Sequence, residues 1–390
     1  MVSFKYLVNR LKHAAYHVAQ FVNQHTHALD RFKNLFGIRR LVEWLITPTA
    51  PNNEEVKIIK SNLKMDVIAT KVHVLMTKHI SPIHYYVLCV ENLGDIIAVE
   101  PISRRLKELS PTAKTHWIVR NPFVAPLEHN PYIDEIIPVQ TLWDGWKLIE
   151  QESSRDDSVI VNCHFDMSSC SEKGTILRNP VNPQISIFNF YKIGNILDTF
   201  SLAAGLAPQD DSPIFYLRPN TSLPPNIPAH YVVFHCQSRD PSRNWTNEKW
   251  NTLASHLGRN GLNIVEIGTE KTLDKNLNIF DYTGRQDIHQ LALIIKNATM
   301  FIGVDSAFAH IGNSMRTPSV VLFGKFMCYD TYFPYSGSFA SSPDFTIIRA
   351  PKGLPASVID IQEVEEVILG KIKSINKNLK SQPHQPPYQP

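Results

Sequence analysis

Three short stretches bring together residue types that can do chemistry. The first is Asn92-Leu-Gly-Asp95, directly after the apolar run Tyr85 to Val90. Gly94 permits a tight strand-to-helix turn, and Asp95 then stands at a helix start. There its carboxylate either caps backbone N–H groups or faces a cleft as a proton acceptor. The second is Ser238-Arg-Asp-Pro-Ser-Arg243-Asn-Trp245, after the apolar run Tyr231 to Cys236. Two arginines in a loop at a strand's carboxyl end suit an anionic ligand, because guanidinium matches phosphate oxygens in geometry. The bland reading is a solvated loop with Trp245 as packing anchor. The third is Gly303-Val-Asp305-Ser-Ala-Phe-Ala-His310. A helix opening there points the N–H groups of Ser306, Ala307 and Phe308 at an anion, with His310 as a further donor. The alternative is an Asp or Ser cap with His310 merely packed.

Other chemistries lack their signatures. The chain has no Gly-x-x-x-x-Gly-Lys-Ser/Thr run and no Gly-x-Gly-x-x-Gly fingerprint. Cys89, Cys163, Cys170, Cys236 and Cys328 are odd in number and no pair has Cys-x-x-Cys spacing, so neither a disulfide framework nor a thiolate zinc site is expected. His164-x-Asp166 and the other histidines show no metal-ligand spacing, and no metal or cofactor is expected.

The elements that must carry these stretches alternate. Strands are expected at Tyr85 to Val90, His116 to Arg120, Ile133 to Val139 and Val159 to Cys163. Helices are expected over Asp95 to Leu109 and over Asn189 to Gly205. The polar, proline-rich Arg218 to Pro228 marks a boundary. The alternation then restarts: strand Tyr231 to Cys236, helix Asn247 to Arg259 capped by Thr246, strand Leu262 to Gly268, helix Ile288 to Ala298, strand Met300 to Val304, a short helix from Ala307, and strand Ser319 to Phe323. A closing helix spans Val358 to Ile372. Strand, helix, strand in succession argues for parallel sheets, whose ligands bind outside the carboxyl ends of the strands.

The flanks differ. Within residues 1–47, Phe4, Leu7, Leu11, Ala15, Val18 and Val22 form an apolar helical stripe beside a basic face. Two placements fit: packed on the main body, or peripheral on the inner face of the cytoplasmic membrane. Thr47 to Asn53 reads as a linker, and the tail from 376 to 390 as a disordered Pro/Gln-rich segment. The expected domains are therefore 1–80 (helical extension and linker), 81–225 and 226–375. With 39 basic and 36 acidic residues the net charge is +3, which excludes a generic nucleic-acid coat. No apolar run has spanning length, no secretory signal is read, and a reducing cytoplasm fits the cysteines.

The quoted stretches, in this order, resemble glycosyltransferase family 9, the lipopolysaccharide heptosyltransferases. The similar segments are Val87-Leu-Cys-Val-Glu-Asn-Leu-Gly-Asp-Ile-Ile-Ala-Val-Glu-Pro-Ile, Pro111 to Arg120, Asn130-Pro-Tyr-Ile-Asp-Glu-Ile, Ser242-Arg-Asn-Trp-Thr-Asn-Glu-Lys-Trp250, Tyr282-Thr-Gly284, and Gly303 through Gly324. They run over about residues 85 to 370. The resemblance implies an α/β GT-B fold: two Rossmann-like domains facing a cleft, the first for acceptor and the second for donor. It implies inverting, metal-independent transfer of a heptose or related sugar from a nucleotide-sugar, ADP-heptose-like, to a lipopolysaccharide, lipid-linked or other glycan hydroxyl. By position, Asp95 matches the family's base and Arg243 its phosphate-binding Lys. Asp305, Ser306, Ala307, Phe308 and His310 match its donor diphosphate loop. Departures are Ala307 for Gly, Arg243 for Lys, Glu91 where a basic residue is common, and Cys236-Gln237 for Pro-Gly. Residues 1–80 have no counterpart. A non-catalytic nucleotide-sugar or glycan scaffold and a nucleotide-sugar epimerase remain as rival readings.

Overall fold

The computed structural model describes residues 66–78, 80, 82–170, 175–187, 189–325 and 332–381. All of them belong to one compact unit, Asn62–Pro390. The expectations for residues 1–47, for the linker after them, for Cys328 and for residues 382–390 lie outside the described residues.

Two parallel sheets carry the architecture. The first contains β1 (His84–Leu88), β2 (Lys114–Arg120), β3 (Glu135–Val139) and β4 (Ser158–Asn162), in the order β3-β2-β1-β4. A small antiparallel pair, β5 (Ser168–Cys170) and β6 (Thr175–Leu177), follows. The second sheet contains β7 (Val232–His235), β8 (Ile264–Glu266), β9 (Ile279–Asp281), β10 (Met300–Val304), β11 (Ser319–Phe323) and β12 (Phe345–Arg349), in the order β12-β11-β10-β7-β8-β9. Read from β9, that is the dinucleotide-domain order 3-2-1-4-5-6, all parallel. In each sheet the order reverses beside the first strand: between β1 and β4, and between β7 and β10. The two Rossmann-like domains of a GT-B fold are thus present, and each switch point is a place where a crevice opens.

Why the strands are buried is plain from their residues. β10 and β11 are apolar or small throughout and buried at every position, as a strand covered by helices on both faces must be. Val232, Phe234, Ile302, Val320 and Leu322 pack on one face with Trp250 and Leu253 of a helix. Val233, Phe301, Val321 and Phe323 fill the other with Leu291 and Ile295.

The helices correct the sequence reading in five places. The single helix expected from Asp95 to Leu109 is two: α2 (Leu93–Ala98) and α3 (Pro101–Leu109). Pro101 lacks an N–H and fixes φ, so it opens a new helix instead of continuing the old one. The helix expected over Asn189 to Gly205 begins late, as α5 (Ile196–Ala203), where the Asn195 side chain accepts from Asp198 N–H at 2.8 Å. Gly205 does end it, at φ +82°. The first domain starts before residue 81: α1 (Val67–Thr77) buries Ile68, Val72 and Leu75, and Ile68 N–H donates to Gly205 O. The closing helix, α10 (Ile361–Ser381), runs past Ile372 and includes residues 376–381 assigned above to the tail. The periodicity missed α4 (Leu142–Glu152), although its Thr141/Asp144 capping box is written in the sequence. The remaining helices are α6 (Asn247–Arg259), α7 (Ile288–Asn297), α8 (Ala307–Ser314) and α9 (Gly337–Ala340), and α6 begins after Thr246 as expected.

Candidate active site

Asp95 occupies the third position of α2, and Asn92 N–H donates to its Oδ2 at 3.2 Å. The two readings of this residue are therefore compatible: Asp95 closes a capping box and also stands at the carboxyl end of a switch-point strand. Its surroundings are unfriendly to charge. Burial, then the Glu91 carboxylate, push its pKa up to about 7, while Asn92 and the Arg243 guanidinium pull the other way. Glu91 is itself anchored: its Oε1 lies 2.9 Å from Nδ1 of the buried His164. Val90 N–H donates to His164 Nε2 at 2.9 Å, which fixes the orientation of the ring beside Glu91.

The second switch point supplies the cationic side. β7 leads into a loop held by its own side chains. Asp240 Oδ1 accepts from Ser242 N–H at 2.8 Å, and Asn244 accepts from Ser238 N–H at 2.7 Å and donates back to Ser238 O at 3.1 Å. Trp245 is indeed the packing anchor: 3% exposed, it donates to Ile359 O at 2.9 Å and meets Trp250 edge to face. With that anchor fixed, Arg243 extends to Asp305, Nη1 to Oδ2 at 3.2 Å. The Tyr335 hydroxyl donates to the other Asp305 oxygen at 2.8 Å.

The expected helix start at Ala307 is α8, with Ser306 at the N-cap position. Neither candidate side chain caps it. Asp305 is engaged by Arg243 and Tyr335, and Ser306 Oγ lies 3.1 Å from His235 Nδ1. The Phe308 ring packs on that imidazole, centroid to centroid 4.3 Å. Ala307 backs the first domain: a Cβ on Gly94 would sit 3.4 Å from Ala307 Cα and 3.1 Å from His310 Cδ2. A Cβ there would press on the His310 ring, and α2 and α8 meet nose to nose across the cleft. Arg239 Nη2 donates to Asn92 Oδ1 at 3.2 Å across the same seam. His310 is 4% exposed, and burial and the Arg243 charge press its pKa down to about 3. It is therefore a neutral donor or acceptor, and its buried Nδ1 has no hydrogen-bond partner among the described residues. Burial likewise lowers His235 to about 3.

The structure thus gathers Asp95 from one domain and Arg243, Asp305, Ser306, Ala307, Phe308 and His310 from the other around one cleft. It adds Glu91, His164, His235 and Tyr335. Tyr335 and His164 left no functional signal in the sequence, because their partners Asp305 and Val90 lie 30 and 74 residues away.

One further group of potential metal ligands comes together elsewhere: Glu128, His129 and His289, with ligand atoms within 4.8 Å of one another. Arg218 N–H donates to His289 Nδ1 at 3.2 Å. The neutral ring then carries its proton on Nε2, which faces Glu128 Oε2 at 3.6 Å. A protonated Nε2 is not a ligand, so this arrangement is not set for a metal.

Two switch-point crevices facing one another, one carrying Asp95 and the other Arg243 and an open helix start, define a protein of GT-B fold. The family model for glycosyltransferase family 9 (heptosyltransferase) matches residues 205–339. The resemblance read from the sequence holds: this is a chain like the family 9 heptosyltransferases. Lipopolysaccharide heptosyltransferase 3 of Escherichia coli K12 is 28% identical over 109 residues, 25% of this chain. That match spans 32% of the relative's length. Among solved structures, a family 9 glycosyltransferase of Veillonella parvula superposes with TM-score 0.57 at 17% identity, over 75% of this chain and 98% of that one. The dodecameric iron-containing heptosyltransferase TibC of enterotoxigenic E. coli H10407, in complex with ADP-D-beta-D-heptose, gives 0.52 at 14%, over 75% and 77%. At these identities the likeness is one of fold.

Proposed function

We propose that the chain is an inverting glycosyltransferase that moves a sugar, heptose or a related one, from a nucleoside-diphosphate donor to a hydroxyl of a glycan or lipid-linked acceptor. One observation carries the reading: a carboxyl whose pKa is raised to about 7 stands across a cleft from a loop arginine and an uncapped helix start. Asp95 takes the proton of the acceptor hydroxyl as its oxygen attacks the anomeric carbon from the side opposite the leaving group. The bond to the diphosphate breaks, and negative charge grows on the departing phosphate. Arg243 and the N–H groups of Ser306, Ala307 and Phe308 meet that charge, with His310 as a neutral donor. Fixed donors of this kind commonly lower a barrier by several kcal/mol. On this reading the chain itself supplies the charge stabilisation. The donor named with a fold neighbour, ADP-D-beta-D-heptose, makes ADP-heptose the first candidate.

Thermal-shift screening of a nucleotide-sugar panel, followed by transfer and hydrolysis assays with Asp95→Asn as control, tests the proposal. Donor-dependent transfer that Asp95→Asn abolishes supports it. Isomerisation of the donor sugar without acceptor would mean an epimerase, and donor binding with no turnover a scaffold. Contact of residues 1–47 with an anionic membrane belongs to the same proposal. Salt-sensitive pelleting of the full chain with anionic vesicles supports it, and no pelleting refutes it. Among the described residues no helix is long and apolar enough to cross a membrane.

A further inference from the structure

Beyond the loop and helix start that hold the donor, a third segment enters the site. Residues 332–337 form a strap between the domains. Pro334 O accepts from Ile196 N–H of the first domain at 3.1 Å, and Ser336 Oγ donates to Asp211 O at 2.9 Å. Gly337 N–H donates to Asp210 Oδ1 at 3.1 Å. On the other side, Asn313 Nδ2 of α8 donates to Ser336 O at 3.0 Å. Tyr335, 1% exposed, lies in the middle, packed on Phe345 and on the His310 ring at 4.6 Å.

We propose that Tyr335 is a positioning residue for the donor: by donating its hydroxyl to Asp305, it frees Arg243 to leave that carboxylate for a diphosphate. The inference rests on the donor reading given above. The argument is one of competition. Asp305 is 6% exposed, and a buried carboxylate must have partners. Among the described residues it has two, Arg243 Nη1 at 3.2 Å and Tyr335 at 2.8 Å. When a diphosphate draws the guanidinium away, the tyrosine hydroxyl stays and the carboxylate remains satisfied. Without that hydroxyl, Asp305 has Arg243 as its remaining charge-compensating partner and holds it against the incoming phosphate. Tyrosine suits the task, since it donates a strong hydrogen bond yet brings no positive charge to compete with Arg243 for phosphate.

The test compares ADP, UDP, GDP and CDP with their parent nucleosides by calorimetry, on wild type, Tyr335→Phe, Asp305→Asn and the double variant. Thermal melts establish that each variant is folded. Tyr335→Phe is expected to weaken the preferred nucleoside diphosphate about tenfold, the order of one charge-assisted hydrogen bond. It should leave the nucleoside, which has no phosphate, unchanged. In the Asp305→Asn background, where the competing carboxylate is gone, the same change should have no effect on the diphosphate. A merely structural role would weaken nucleoside and diphosphate alike and act equally in both backgrounds, and that result overturns the inference. Unchanged diphosphate affinity in Tyr335→Phe overturns it as well, leaving the donor site intact. Wild type that binds none of the four diphosphates refutes the donor reading itself.

Discussion

The sharpest consequence of the site concerns proton traffic at Asp95. An exposed aspartate is ionised throughout the range where proteins work, since its ordinary value is 3.8. Here burial and the nearby Glu91 move it to about 7. If the carboxylate form is the base, about one-tenth of the enzyme is active at pH 6, half at pH 7 and about nine-tenths at pH 8. The rate parameter kcat/KM should therefore rise about tenfold between pH 6 and pH 8, with a midpoint near 7. Glu91→Gln removes the like charge and should move that midpoint down. Asp95→Asn should lower kcat/KM by roughly 10²–10⁴ and abolish the limb, while its side-chain oxygen still accepts from Asn92 N–H. Stability should move the opposite way. The folded pKa lies above the unfolded one, so the folded state binds more protons between about pH 4 and 7 and loses stability as pH rises through that window. At pH 8 Asp95→Asn should then be more stable than wild type, by about 1–2 kcal/mol once partial solvent exposure is allowed for. Rates come from initial-velocity transfer assays at subsaturating acceptor across pH 5.5–9, and stabilities from urea titrations at pH 5 and 8. A flat kcat/KM across that range would refute the assignment of Asp95 as the titrating base.

Three other substitutions probe the remaining parts. Arg243→Ala should weaken nucleoside-diphosphate binding by about 1.5–3 kcal/mol, measured calorimetrically, because it removes a charge-assisted contact. Unchanged affinity would place the arginine outside the site. Gly324→Ala should destabilise the fold and disturb the arginine loop together, since a Cβ there would lie 2.2 Å from Ala356 N and 2.3 Å from Ser242 O, both backbone. A melting temperature equal to wild type would show that this packing is softer than drawn. Gly94→Ala meets a movable ring instead, His310 Cδ2 at 3.1 Å, so it should keep the stability of the fold and lower transfer several-fold by shifting α2 against α8.

Much of this was legible in the sequence because the informative signals are local. Strands β10 and β11 announce themselves as short apolar runs, and Thr246 and Gly205 mark helix ends by their own backbone preferences. Asp95, Arg243 and the stretch from Asp305 to His310 could be singled out because each lies where a strand's carboxyl end opens into a helix or loop. What escaped has the opposite character. Pro101 splits α2 from α3, yet the apolar spacing across it is unbroken. Tyr335 and His164 contribute through partners far along the chain, and nothing near either residue signals its role. Glu91 was visible as a departure, but its effect on Asp95 depends on burial and on a histidine that holds it, which no spacing reveals.

The two halves of the site use one local device to opposite electrostatic ends. In both domains a switch-point strand opens into a helix N-terminus, where the first N–H groups lack intrahelical partners and the helix dipole favours negative charge. In the first domain that potential is answered from within: Asp95 turns back on Asn92 N–H, so its carboxylate is held in place and kept near its neutral form by burial and Glu91. In the second domain it is deliberately left unanswered. Asp305, the obvious acidic candidate, is drawn off by Arg243 and Tyr335, and Ser306 by His235. A carboxylate of the chain's own at that helix start would compete with any incoming anion. Its diversion leaves the second helix start open to an anion, while the first holds the Asp95 carboxyl; the proposed glycosyl transfer with a diphosphate leaving group needs one of each.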